Sequence, residues 1–145
     1  TGRVRGLMLI EGVTPADPVS FYWGEAGDLV NMRRSSAAAA AVRLGDMPLV
    51  VEAAADPDRD YWGGPAYGQS PAEIATWRAH QRASASLSTQ STFVVVAHSA
   101  HVIEHDQPAA VIAGLSLLVG ATQGTRLPAC ALSAYGTQPL CPSVR

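Results

Sequence analysis

Three strand-sized apolar runs, "RVRGLMLI" (3–10), "PLVVEA" (48–53) and "TFVVVA" (92–97), constrain this chain more than any other feature. They are near-continuous rather than alternating, which is the pattern of a strand with neither face in water. Between the second and third runs lies "SPAEIATWRAHQRASASLS" (70–88). Ser70 and Glu73 have the spacing of a capping box, and Pro71 takes the first helical position, where its missing N–H costs nothing. Ile74 and Trp77 fall on one face of that helix, for packing onto a sheet. After the third run comes "PAAVIAGLSLLVG" (108–120), again opened by proline, with Asp106 available as its cap. The order strand, excursion, strand, helix, strand, helix predicts an α/β fold: a three-stranded parallel sheet with helices on both faces.

The excursion begins with "VTPADPVSFYWGEAG" (13–27), whose prolines and glycines break any period and which carries Phe21, Tyr22 and Trp23 in a row. A helix capped by Asp28 is expected through about Arg43, helped by the alanine run 37–41 and stopped at Gly45. The tail, 122–145, has turn residues and no period. At 145 residues the chain is one domain's worth. A net charge of −2 with scattered arginines gives no footprint for nucleic acid. No apolar run approaches the roughly 20 residues of a membrane span, and no signal peptide is evident. Cys130 and Cys141 make no disulfide framework, and two unpaired thiols are the simpler reading. They leave the compartment open, with the cytoplasm slightly favoured.

In parallel sheets, reactive groups collect on loops at the carboxyl ends of strands. Three polar clusters sit there: Glu11, the Asp56/Asp58/Asp60 turn, and "AHSAH" (97–101). The last admits three readings. Ser99 as the nucleophile of a degenerate G-x-S-x-G elbow needs small residues two positions to either side; Ala97 qualifies and His101 does not. An elbow also runs straight into a helix, whereas Pro108 puts the helix start well downstream. "GQSPA" (68–72) is a second near-match, but its serine is already explained as a cap. His98, His101 and His105 with Asp106 contain metal-ligand types, yet His101 and His105 share a face only if helical, and Pro108 disfavours helix just before it. A single histidine acting as base, oriented by a carboxylate from an earlier strand end, fits the chain order best.

"FVVVAHSAHVIEHDQPAAVIAG" resembles the histidine loop of the α/β-hydrolase fold: a strand, a small residue and His, mixed residues, Asp-x-Pro, then the final helix. The match selects His101, with Ala100 where that family usually has glycine. "RVRGLMLIEG" resembles the strand after the nucleophile helix, and "LGDMPLVVEAAADP" the next-to-last strand with its acid turn. The resemblance covers Arg3 to Ala121. It implies that residues 1–121 are the carboxyl-terminal half of such a domain, with 13–45 a lid-like insertion and 122–145 an irregular tail. The implied activity is hydrolysis of an ester or related small-molecule bond, with His101 the base and no cofactor or metal. Asp56, followed by Pro57, matches the usual acid turn; Glu11 is the second candidate for the acid. The family's elbow and oxyanion loop precede the matched region, so the serine is expected outside this chain. The central strands of that sheet would also be missing, which predicts self-association through an exposed edge at 3–10. The alternative is a non-catalytic binding or interaction domain that keeps part of the fold.

Overall fold

The structure, a computed structural model, describes residues 3–12, 37–56 and 70–128, apart from the Glu73 side chain. The aromatics Phe21 to Trp23, residues 13–36 of the predicted insertion, Asp58 and Asp60, tail residues 129–145 and both cysteines lie outside the described residues, as does the Glu73 half of the capping box.

Each apolar run forms a strand: β1 is Leu7–Ile10, β2 is Leu49–Ala54 and β3 is Ser91–Val96. They form one parallel sheet in the order β1-β2-β3. The register aligns Ile10, Glu52 and Val94, and two residues on it aligns Ala54 with Val96. All of β2 is buried, as a near-continuous apolar run requires, and its one glutamate, Glu52, is buried with it. β3 instead alternates: Thr92, Val94 and Val96 are buried and the residues between them half-buried.

Helix α1, Pro71–Ser84, does begin at the proline, and continues into a 3₁₀ turn over Ala85–Leu87. It covers one face of the sheet, where the Arg82 guanidinium lies 5.5 Å from the centre of the Phe93 ring. Beyond the turn, Ser88 donates to the Met47 carbonyl at 2.6 Å and bridges to Gly45, tying the amino ends of β2 and β3 together. Gly45 holds φ +62°, a left-handed conformation that favours glycine. Residues 37–40 are helical, short of the predicted end at Arg43, and Gly45 serves the bridge rather than a helix stop.

The chain after β3 differs from expectation. A four-residue helix, α2 (Ile103–Asp106), precedes the last helix, α3 (Pro108–Thr122). Asp106 does not cap α3; Gln107 holds that position without a side-chain bond. The Asp106 carboxylate instead accepts from the Ala100 N–H at 2.8 Å. Pro108 explains the break, because its ring pushes Gln107 out of helical conformation, to φ −137° and ψ 61°.

α3 lies on the sheet face opposite α1. Ala110 packs with Ala54, Gly114 stands over Glu52, and Ala121 meets Val50, so the helix runs against the strand direction. Leu127 extends this core past the helix end. The outer face of α3 is also apolar, with Ile112, Leu115 and Val119 exposed. Among the described residues no helix is long and apolar enough to cross a membrane.

Candidate active site at the carboxyl ends of the strands

β1 ends one residue before Glu11, and parallel-strand geometry sets what Glu11 must do. Along a strand, successive residues aim their N–H and C=O groups to alternate sides. The N–H groups of Leu49 and Ala55 point to β3, where they bond Gln90 and Val96 carbonyls. The Ala54 N–H therefore points toward β1, beyond where β1 has stopped. A buried amide without an acceptor costs about 1–3 kcal/mol. Glu11 supplies the acceptor: its backbone takes φ +49°, the chain turns, and Oε1 receives the Ala54 N–H. A non-glycine residue in this left-handed region carries strain of about 1–3 kcal/mol, so the turn is held by its contacts.

The second oxygen of Glu11 faces the loop after β3. His101 Nδ1 lies 3.1 Å from Oε2, across the end of β2. With Nδ1–H donating to the carboxylate, Nε2 is the nitrogen left with a free lone pair. The carboxylate is 4 % exposed and the imidazole 62 %, so a sheltered acid holds a ring that solvent or a ligand can reach. The loop carrying His101 is itself fixed on both sides. The Asp56 N–H donates to the Ser99 carbonyl at 3.0 Å, the Asp106 carboxylate holds Ala100, and Ile103 is fully buried.

Electrostatics couple the pair. The bond to Glu11 raises the His101 pKa above its usual 6.5, burial opposes that rise, and the charges of Glu11 and Glu104 reinforce it. Burial raises Glu11 above 4.5, against the lowering effects of His101, the Ala54 N–H and Arg78. These are two sides of one coupled titration, in which the pair keeps a shared proton to higher pH than a solvated histidine would.

Of the two carboxylates expected to serve His101, the structure brings Glu11 to the ring. Asp56 is exposed at the end of β2 and joins the site through its main chain. His98 is exposed, in left-handed backbone at φ +55°. His105 contacts Asp106 at 3.2 Å. Among the described residues no three His, Cys, Asp or Glu side chains gather to hold a metal. Ser99 is fully buried and donates its hydroxyl to the Ala100 carbonyl, a poor state for a nucleophile.

Sequence reasoning missed three polar groups around this end of the sheet. Gln81 and Arg78 of α1 reach the strand-end turns, and Glu52 is buried in mid-β2. Glu52 interrupts an apolar face at the parity of Val50 and Ala54, a signal readable from the run "LVVEAA". Gln81 and Arg78 gave no comparable signal, since polar residues on an amphipathic helix ordinarily face water. No protein-family model, curated protein or solved structure matches the chain.

Proposed function

We propose that the chain is the carboxyl-terminal half of an α/β-hydrolase-fold enzyme, cleaving an ester or related bond of a small molecule by acyl transfer. One observation carries the reading: the carboxylate after β1 and the imidazole after β3 meet at the same edge of a parallel sheet, Nδ1 to Oε2 at 3.1 Å. The reading takes Glu11, not Asp56, as the acid. The attacking serine is supplied by polypeptide beyond these 145 residues. His101 Nε2 accepts the hydroxyl proton as the serine oxygen bonds to the substrate carbonyl carbon. It then passes that proton to the departing alcohol, and the sequence repeats with water to free the acid product. Glu11 holds the tautomer and stabilises the imidazolium formed between the two transfers. No cofactor has a part in these steps.

The same reading leaves the outer edge of β1 open to another strand, so the 145-residue chain should self-associate. Sedimentation velocity checks this; a clean monomer with a cooperative melt counts against a missing half. A binding domain has no need for a buried carboxylate aimed at an accessible imidazole, which is why catalysis is preferred. The decisive assay uses a form of the protein that includes the upstream polypeptide. Esterase activity lost on His101→Ala is expected; absence of activity, or activity indifferent to that change, overturns the proposal.

A further inference from the structure

Two polar side chains of α1, Arg78 and Gln81, are three residues apart and therefore share a helix face. Both reach the carboxyl end of the sheet. Gln81 is 1 % exposed, and its Nε2 donates to the Gly12 carbonyl. Arg78 donates through Nη2 to the Ala55 carbonyl at 2.7 Å. Gly12 follows Glu11; Ala55 follows Ala54, whose N–H rests on Glu11 Oε1. The two contacts therefore grip the backbone on either side of the Glu11 carboxylate.

Neither contact is required by secondary structure, since the helix and the ladder have bonds of their own. Ordering a buried glutamine costs side-chain freedom, and its amide must also leave water. An apolar residue would pack at that place on α1 without the desolvation penalty. What the glutamine secures is the turn at Glu11, whose φ of +49° has to be imposed from outside.

We propose that Gln81 and Arg78 are positioning residues that hold the Glu11 turn where its carboxylate meets His101. The proposal rests on reading that pair as the acid and base of the hydrolase site. Gln81 fixes the backbone leaving β1. Arg78 fixes the backbone leaving β2, and its positive charge favours the ionised form of Glu11. Glu104 is the other charged group that acts on the ring of His101.

NMR titration of the full chain tests this without reference to activity. Gln81→Met keeps the volume and removes the donor. The His101 midpoint should fall from its raised position toward 6.5 while the far-ultraviolet spectrum stays native. Arg78→Met should raise the Glu11 carboxyl midpoint, and Arg78→Lys should restore it. A native Gln81→Met protein with an unmoved His101 overturns the proposal. Should that variant not fold, the wild-type Gln81 side-chain amide decides: slow exchange and coupling to the Gly12 carbonyl are expected, and free exchange overturns the proposal. Activity separates the two levels. Esterase turnover that survives His101→Ala sinks the hydrolase reading and leaves the titration result standing, whereas an unmoved His101 sinks the positioning role alone.

Discussion

Glu11 and Glu52 are both buried glutamates, carried at the end of one strand and in the middle of its neighbour, and they differ in the partners set against burial. Glu11 has an amide donor on one oxygen, an imidazole on the other and an arginine nearby. Glu52 is fully buried with neither carboxylate oxygen bonded among the described residues, wedged between Met8 and Gly114. Burial alone raises its pKa to about 7. Glu11 offsets part of its desolvation through the Ala54 amide and the His101 ring, although burial still outweighs them. Glu52 remains a neutral acid through mildly acidic pH and opposes folding once ionised. The sheet tolerates Glu52 because Gly114 leaves room above it.

The largest expected difference between them is catalytic. In a form of the protein that has esterase activity, Glu11→Gln should lower kcat/KM on the order of 10³- to 10⁴-fold, as when an orienting carboxylate is neutralised. Glu52→Gln should leave it unchanged. Steady-state kinetics on both variants checks the contrast, and equal losses would dissolve it.

Stability against pH sharpens it next. Below pH 4.5 Glu52 is protonated whether folded or unfolded and carries no penalty. From 4.5 to about 7 only the unfolded chain ionises, so stability falls with rising pH and then levels off. The total is about 3 kcal/mol at ~1.4 kcal/mol per pH unit. Glu11, also raised, acts in the same direction. His101, raised by its partner, contributes stability that is full below 6.5 and lost as pH rises through its folded midpoint. Urea unfolding should therefore find the chain more stable at pH 5 than at pH 8. Glu52→Gln should flatten most of that slope; a slope unaffected by the change would mean that Glu52 is not the cause.

A smaller effect concerns the room left for Glu52. A Cβ at Gly114 would sit 2.5 Å from Glu52 Oε1 and 2.7 Å from Met8 Cε. Gly114→Ala should cost about 1–3 kcal/mol through overpacking. In a Glu52→Ala background the flexible end of Met8 can swing into the vacated space, and most of that cost should disappear. A double-mutant cycle without coupling between the two positions would contradict the packing described for α3.

The sheet was legible because its signal is dense: apolar runs of strand length, each followed by polar residues, with prolines marking two helix starts. His101 was singled out only by the resemblance of its loop to the α/β-hydrolase histidine loop, and the structure sets its ring against Glu11. Which carboxylate meets that ring was not legible, because Glu11 and Asp56 both follow strand ends and sequence does not tell which one turns inward. That depends on an orphaned Ala54 N–H and on a left-handed turn at a non-glycine residue, and both exist only once β1 stops one residue short of Glu11. The role of Asp106 was hidden by a short helix inserted before Pro108. Gln81 and Arg78 were invisible for the related reason that their acceptors are backbone carbonyls far away in sequence.

Titration of His101 by NMR in wild type, Glu11→Gln and Asp56→Asn decides whether Glu11 or Asp56 holds the ring. A wild-type midpoint above 6.5, a clear fall in Glu11→Gln and no change in Asp56→Asn are expected. A midpoint that falls in Asp56→Asn and stays in place in Glu11→Gln would contradict the pairing with Glu11.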